Sequence, residues 1–136
     1  MTATAADTLA RTLWGEARNQ GQCGMAAVAH VVLNRAAHPR WWGHDIISVC
    51  RAPEQFSCWL PEPQGELTAL GQISASDPTW KQAQAVAAQA VAGTLGFDIT
   101  NGADSYVNLS VDDPSWAKDK SPCAVIGAHS FFREEI

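Results

Sequence analysis

The stretch "LARTLWGEARNQGQCGMAAVAHVVLNR", residues 9–35, holds two helices of different character joined by a glycine-containing turn. Leu9, Ala10, Leu13, Trp14 and Ala17 recur at spacings of three and four, which predicts an amphipathic helix with one apolar stripe. Asp7, Arg11 and Arg18 fall on the opposite face, and Thr4 with Asp7 three residues on forms a weak capping arrangement at the start. Gly21 and Gly24 mark the turn. Residues 24–36 are then apolar nearly all round, so they are expected to form the central buried helix, with His30 as a core residue. Glu16 belongs to neither face of the first helix. It stands at the edge of the apolar stripe, where two readings compete. One is a rim glutamate paired with a nearby arginine. The other is a general acid, because a carboxyl packed against apolar surface is biased toward the protonated form that proton donation needs.

Outward from this pair, "HPRWWGHD" at 38–45 breaks the pattern, and "DIISVC" at 45–50 predicts a short helix. "EQFSCW" at 54–59 is aromatic and strand-like, stopped by "LPEPQG". Asp77-Pro78 reads as an N-cap followed by proline at the first helical position, opening an Ala- and Gln-rich helix that Gly93 ends. Later, "YVNLSV" at 106–111 and "AVIGAHSFF" at 124–132 have strand composition, separated by a loop holding Pro114, Trp116 and Pro122. Helices first and a little sheet afterwards give an α+β class, mainly helical with a small antiparallel sheet.

The totals limit the function. A chain of 136 residues, 46% hydrophobic and 17% charged, fits a single domain over 1–136 with a sizeable core. A net charge of −5, with nine Lys and Arg spread thinly, argues against nucleic acid as a partner. Membrane insertion is excluded on the same footing. The longest apolar run, "MAAVAHVVL" at 25–33, is too short for a span. "MTATAADTLARTL" lacks the basic and apolar regions of a secretory signal, so the chain is expected to be made in a cytoplasm. Cys23, Cys50, Cys58 and Cys123 have no zinc-site spacing; buried thiols and one or two disulfides are both open.

Two constellations compete for chemistry. In "QFSCW", Cys58 with Gln55 nearby and His129 far downstream invites a cysteine-peptidase reading. Pro61 and Pro63 forbid the helix that would begin at such a nucleophile and hold its thiolate. Glu16 is the alternative. The helix pair at 9–35, followed by "VCRAPEQFSCW" at 49–59, closely resembles the SleB-like cell-wall hydrolase family, which includes spore-cortex-lytic enzymes and phage-type lysins. "NGADSYVN", "PSWA" and "IGAHSFF" match later blocks of that family, so the resemblance runs from about Leu9 to Arg133.

The resemblance implies a lysozyme-like fold and cleavage of peptidoglycan glycan strands by a lytic transglycosylase, with no metal or cofactor. It implies Glu16 as the catalytic acid, then base. It further implies that Ser57, Tyr106 and Asn108 contact substrate or Glu16, with Gln55 and His129 behind them. Trp59 is expected to floor a sugar subsite, and Trp41 and Trp42 to form an exposed binding edge. Trp14, Trp80 and Trp116 are expected in the core, and Asn34 and Arg35 as structural bonds at a helix end. The block at 102–108 departs from the family pattern at Asp104 and Ser105, which makes Asp104 a conceivable second carboxylate for a muramidase using water. A non-catalytic glycan-binding domain is the remaining alternative. A monomer is expected, acting as a phage-type endolysin on the wall, in the periplasm, after release from the host cytoplasm.

Overall fold

The computed structural model describes residues Thr4–Ile136; the first three residues of the stretch read for a leader lie outside them. Helix α1 spans Ala5–Ala17, and the Thr4 hydroxyl caps it by accepting from the Asp7 amide at 3.0 Å. Its stripe is buried as the spacing predicts: Leu9, Leu13 and Ala17 are fully shielded. Helix α2, Gly21–Ala37, begins three residues before the predicted start, with Gly21 at φ +73°. It is buried on two sides because it has two neighbours. Met25, Val28 and Val32 pack in the helical core, while Ala27 and Val31 pack with Ala103 and Phe131 beside the sheet. His30 is buried on the same helix.

Asp45 caps α3, Ile46–Arg51, through a reciprocal pair of bonds with Ser48. A four-residue helix α4, Leu67–Leu70, follows. Helix α5, Pro78–Ala92, has Asp77 accepting from the Thr79 and Trp80 amides and ends at left-handed Gly93, as read from the sequence. It packs against α1 and α2 through Ala83, Val86 and Ala87, all shielded from solvent. Full burial of a Val or Leu side chain contributes about 1.5–3 kcal/mol. This helical cluster is therefore the rigid base from which Glu16 projects.

Three short strands form an antiparallel sheet in the order β1-β3-β2: β1 Ser105–Val107, β2 Ala124–Ile126 and β3 His129–Phe132. Tyr106 lies opposite Phe131. The α+β expectation is met, but two local readings are corrected. The "EQFSCW" stretch is no strand: Ser57–Trp59 form a 3-10 turn closed by the Leu60 amide donating to the Ser57 carbonyl at 2.9 Å. The burial of Phe56 and Cys58, two apart, imitates a strand without any partner strand to pair with. Likewise, residues beyond Val107 leave the sheet, because Asn108 turns the chain by accepting from the Ser110 amide at 3.0 Å. All four cysteines are free thiols.

Candidate functional site

Glu16 sits in the last turn of α1, half-buried, at one side of a cavity of about 630 Å³. Gly15 allows this placement. A Cβ there would stand 2.5 Å from Cys58 Cβ and 2.8 Å from its Sγ, so only glycine lets α1 rest directly on the 3-10 turn. That contact brings the Cys58 amide within 3.2 Å of Glu16 Oε2, to which it donates. From the sheet, the Tyr106 hydroxyl donates to Glu16 Oε1 at 2.8 Å. Each carboxylate oxygen thus has one fixed donor, from segments 42 and 90 residues away. The rim-pair reading does not describe this geometry: Arg18 bonds Glu66 instead, and among the described residues Glu16 has no salt-bridge partner.

Tyr106 is packed between Phe131 and His129, with ring centroids 5.6 Å and 4.8 Å away. Burial, then the negative charge of Glu16, push its hydroxyl well above the ordinary tyrosine range, so it stays a proton-bearing donor. His129 also lines the cavity; burial lowers it, which favours the neutral ring, and its Nδ1 is buried without a partner. Asn108 lines the cavity too, but its amide oxygen is taken by Ser110, leaving the NH₂ for a ligand. Gln55 lines it and accepts from Arg35 at 3.3 Å.

Removing the Tyr106 hydroxyl should therefore lower turnover while preserving the fold. Tyr106→Phe deletes one hydrogen bond to a charged group, about 1.5–3 kcal/mol, or roughly 10- to 100-fold in rate. Steady-state kinetics of glycan cleavage, with circular dichroism as the fold control, check this.

Other expected positions lie elsewhere. Ser57 is exposed and is not in the cavity wall; it is the amide of its neighbour Cys58 that reaches Glu16. Trp59 is corrected outright. Its indole donates to Thr12 at 3.0 Å, Arg51 covers its ring at 4.2 Å, and it borders a separate groove with Arg11 and Leu67. Trp42 is fully buried rather than at an edge, with its indole donating to the Arg35 carbonyl at 2.9 Å. Trp41 is 60% exposed and does line the cavity.

Asp104 is wholly buried and is no second carboxylate. Its oxygens accept from the amides of Glu134, Glu135 and Ile136 at 2.7–2.9 Å and from the Ser105 hydroxyl at 3.0 Å. The sequence reading missed Glu54, Asp112, Glu134 and Glu135, which line the cavity with Glu16; Trp116, expected in the core, packs against Val107, Ala117 and Phe132 and lines the cavity as well. Trp116 stands edge-on to Phe132 with centroids 5.4 Å apart and keeps its other side toward the cavity. Pattern alone carries no sign of these positions, since they lie in turns, irregular chain and a short 3-10 helix, or beyond the last strand. Arg35 does more than bond a helix end. It lines the cavity between Trp42 and Phe56, 5.1 Å and 5.8 Å from their rings. Burial lowers its pKa, opposed first by the charge of Asp104.

The thiol reading weakens on the same geometry. Burial, and then the charge of Glu16, raise Cys58 far from thiolate formation, while burial pushes Cys50 up to about 12. Iodoacetamide at pH 8 should label exposed Cys23, spare Cys50 and Cys58, and leave activity unchanged; peptide mapping beside an activity assay would show it. Activity lost in step with labelling of Cys58 would restore the thiol as nucleophile.

A family model described as "Cell Wall Hydrolase" matches residues 19–132. No curated protein matches the chain. Among solved structures, the chain is similar to the catalytic domain of the germination-specific lytic transglycosylase SleB from Bacillus anthracis. Identity is 26%, TM-score 0.67, covering 96% of this chain and 95% of that one. It is also similar to the catalytic domain of the Bacillus cereus SleB protein, at 26% identity and TM-score 0.65, covering 96% and 91%. The helical core with its three-stranded antiparallel sheet is thus the lysozyme-like α+β fold expected from the sequence.

Proposed function

The chain belongs to the cell wall hydrolase family, and on that premise we propose that it is a lytic transglycosylase cutting peptidoglycan glycan strands, with Glu16 as the single acid and base. The observation that carries this is the cavity-lining carboxylate held by one donor on each oxygen. The Cys58 amide can only donate, so it keeps Oε2 free of a proton and assigns the transferable proton to Oε1. The Tyr106 hydroxyl donates to Oε1 when Glu16 is ionised, and a protonated Oε1 keeps a lone pair to accept it, which leaves the acid's own O–H for the substrate.

In the first half, the Glu16 proton passes to the glycosidic oxygen between N-acetylmuramic acid and N-acetylglucosamine, and the bond from that oxygen to the muramic C1 breaks. Positive charge develops at C1, which the acidic cavity wall would favour. In the second half, the muramic 6-hydroxyl attacks C1 and gives its proton to Glu16. A 1,6-anhydro ring closes and the acid is regenerated. No water is consumed. The proposal keeps the setting expected from the sequence, a phage-type endolysin that reaches the wall after release from the cytoplasm.

Mass spectrometry of soluble products from purified peptidoglycan tests the reaction. Products ending in 1,6-anhydromuramic acid are expected. Reducing muramic ends would mean hydrolysis and direct attention to Glu54, Asp112, Glu134 or Glu135, the further carboxylates of the same cavity. Absence of glycan cleavage would overturn the reading.

A further inference from the structure

Residues Glu134–Ile136 follow the last strand and lie beyond the span matched by the family model, yet Glu134 and Glu135 line the cavity that holds Glu16. Three backbone donors in a row, the amides of Glu134, Glu135 and Ile136, converge on one buried carboxylate, Asp104, at 2.8, 2.7 and 2.9 Å. Asp104 is itself fixed. Ser105 donates to its Oδ1, and Arg35, which also donates to Gln55, donates to its main-chain oxygen at 2.6 Å. At the outer edge, the Trp41 indole donates to the Glu135 carboxylate at 2.7 Å, tying the loop after α2 to this segment. Ile136 packs against the helical core. A segment with no partner strand would ordinarily fray; here a buried charge, an indole and an apolar anchor hold it.

We propose that residues 134–136 form a wall of the glycan cleft, clasped to Trp41, and that Asp104 is the positioning residue that holds this wall in place. This rests on the glycan-cleaving reading of the site. The carboxylate could not be replaced by an amide without loss. Asparagine keeps one acceptor oxygen and places an NH₂ donor against backbone N–H groups. The wall should then loosen while the contacts of Glu16 with Tyr106 and Cys58 stay intact.

The test compares the natural protein with Asp104→Asn and Trp41→Phe, by amide hydrogen exchange and by steady-state cleavage of soluble glycan fragments. In Asp104→Asn, exchange at 134–136 should quicken about tenfold or more. The half-saturating glycan concentration should rise about fivefold with kcat within about twofold, the pattern of lost substrate binding. Trp41→Phe should raise it in the same direction, and since Trp41 is 60% exposed this variant keeps its fold and decides the matter if Asp104→Asn does not fold. Faster exchange with unchanged half-saturation, a fall in kcat alone, or no change in Trp41→Phe would each overturn the proposal. If the natural protein cleaves no glycan, the reaction assignment is what fails. Retention on insoluble peptidoglycan then becomes the readout, with weaker retention of both variants expected and equal retention refuting the wall.

Discussion

Glu16→Gln is expected to lower glycan cleavage by about 10²- to 10⁴-fold, the range for losing a positioned general acid, while leaving stability and glycan binding near those of the natural protein. The glutamine amide is nearly isosteric and keeps a carbonyl oxygen for the Cys58 amide. Its NH₂ can donate to the Tyr106 oxygen, so the side chain can hold its place. What it lacks is a transferable proton. The loss should therefore appear in kcat and not in the half-saturating concentration. Retention of more than about a tenth of the activity would move the proton to another cavity carboxylate and end the single-acid mechanism.

Gly15→Ala should damage both stability and activity. The added methyl would lie 2.5 Å from Cys58 Cβ and 3.2 Å from a Leu70 methyl, and both neighbours are buried. Overpacking of this kind costs about 1–3 kcal/mol, which lowers the melting temperature by several degrees in a chain of this size. Relief requires α1 and the 3-10 turn to separate, and that separation withdraws the Cys58 amide from Glu16. Activity should therefore fall further than the folded fraction accounts for. Thermal unfolding combined with kcat at a temperature where the variant is folded separates the two effects. A variant with natural kcat and natural melting temperature would mean that the turn yields without moving its amide.

The longer helices were legible because their signals are local, whereas the four-residue α4 was not read. The stripe of α1, the Asp77-Pro78 start and the Gly93 stop are set by neighbours in sequence. Glu16 stood out for the same reason, as the polar residue at the margin of an apolar stripe. The partners of Glu16 were less legible, because a 42-residue and a 90-residue separation leave no periodicity to read. Tyr106 was found through the family resemblance, and the Cys58 amide was not found at all: backbone donors are invisible to residue type. The tryptophans show the same limit. Trp41 and Trp42 are adjacent, yet one is 60% exposed and the other fully buried. Trp59 lies one residue from Cys58 and faces away from the cavity wall. Asp104 was misread because a buried carboxylate accepting backbone amides and one in a cleft have the same residue type.

The two donors on Glu16 also set a timetable for synthesis. Cys58 is made 42 residues after Glu16 and Tyr106 another 48 after that, while β1 gains its hydrogen-bonded partner only once His129–Phe132 exist. On the ribosome, α1 and α2 also wait for α5, which packs against both, and the glutamate stays without its second donor until β1 has been made and paired. Catalytic competence is thereby tied to synthesis of the sheet. A fragment released by premature termination before the sheet, however well its helices pack, presents the acid without the tyrosine that serves it.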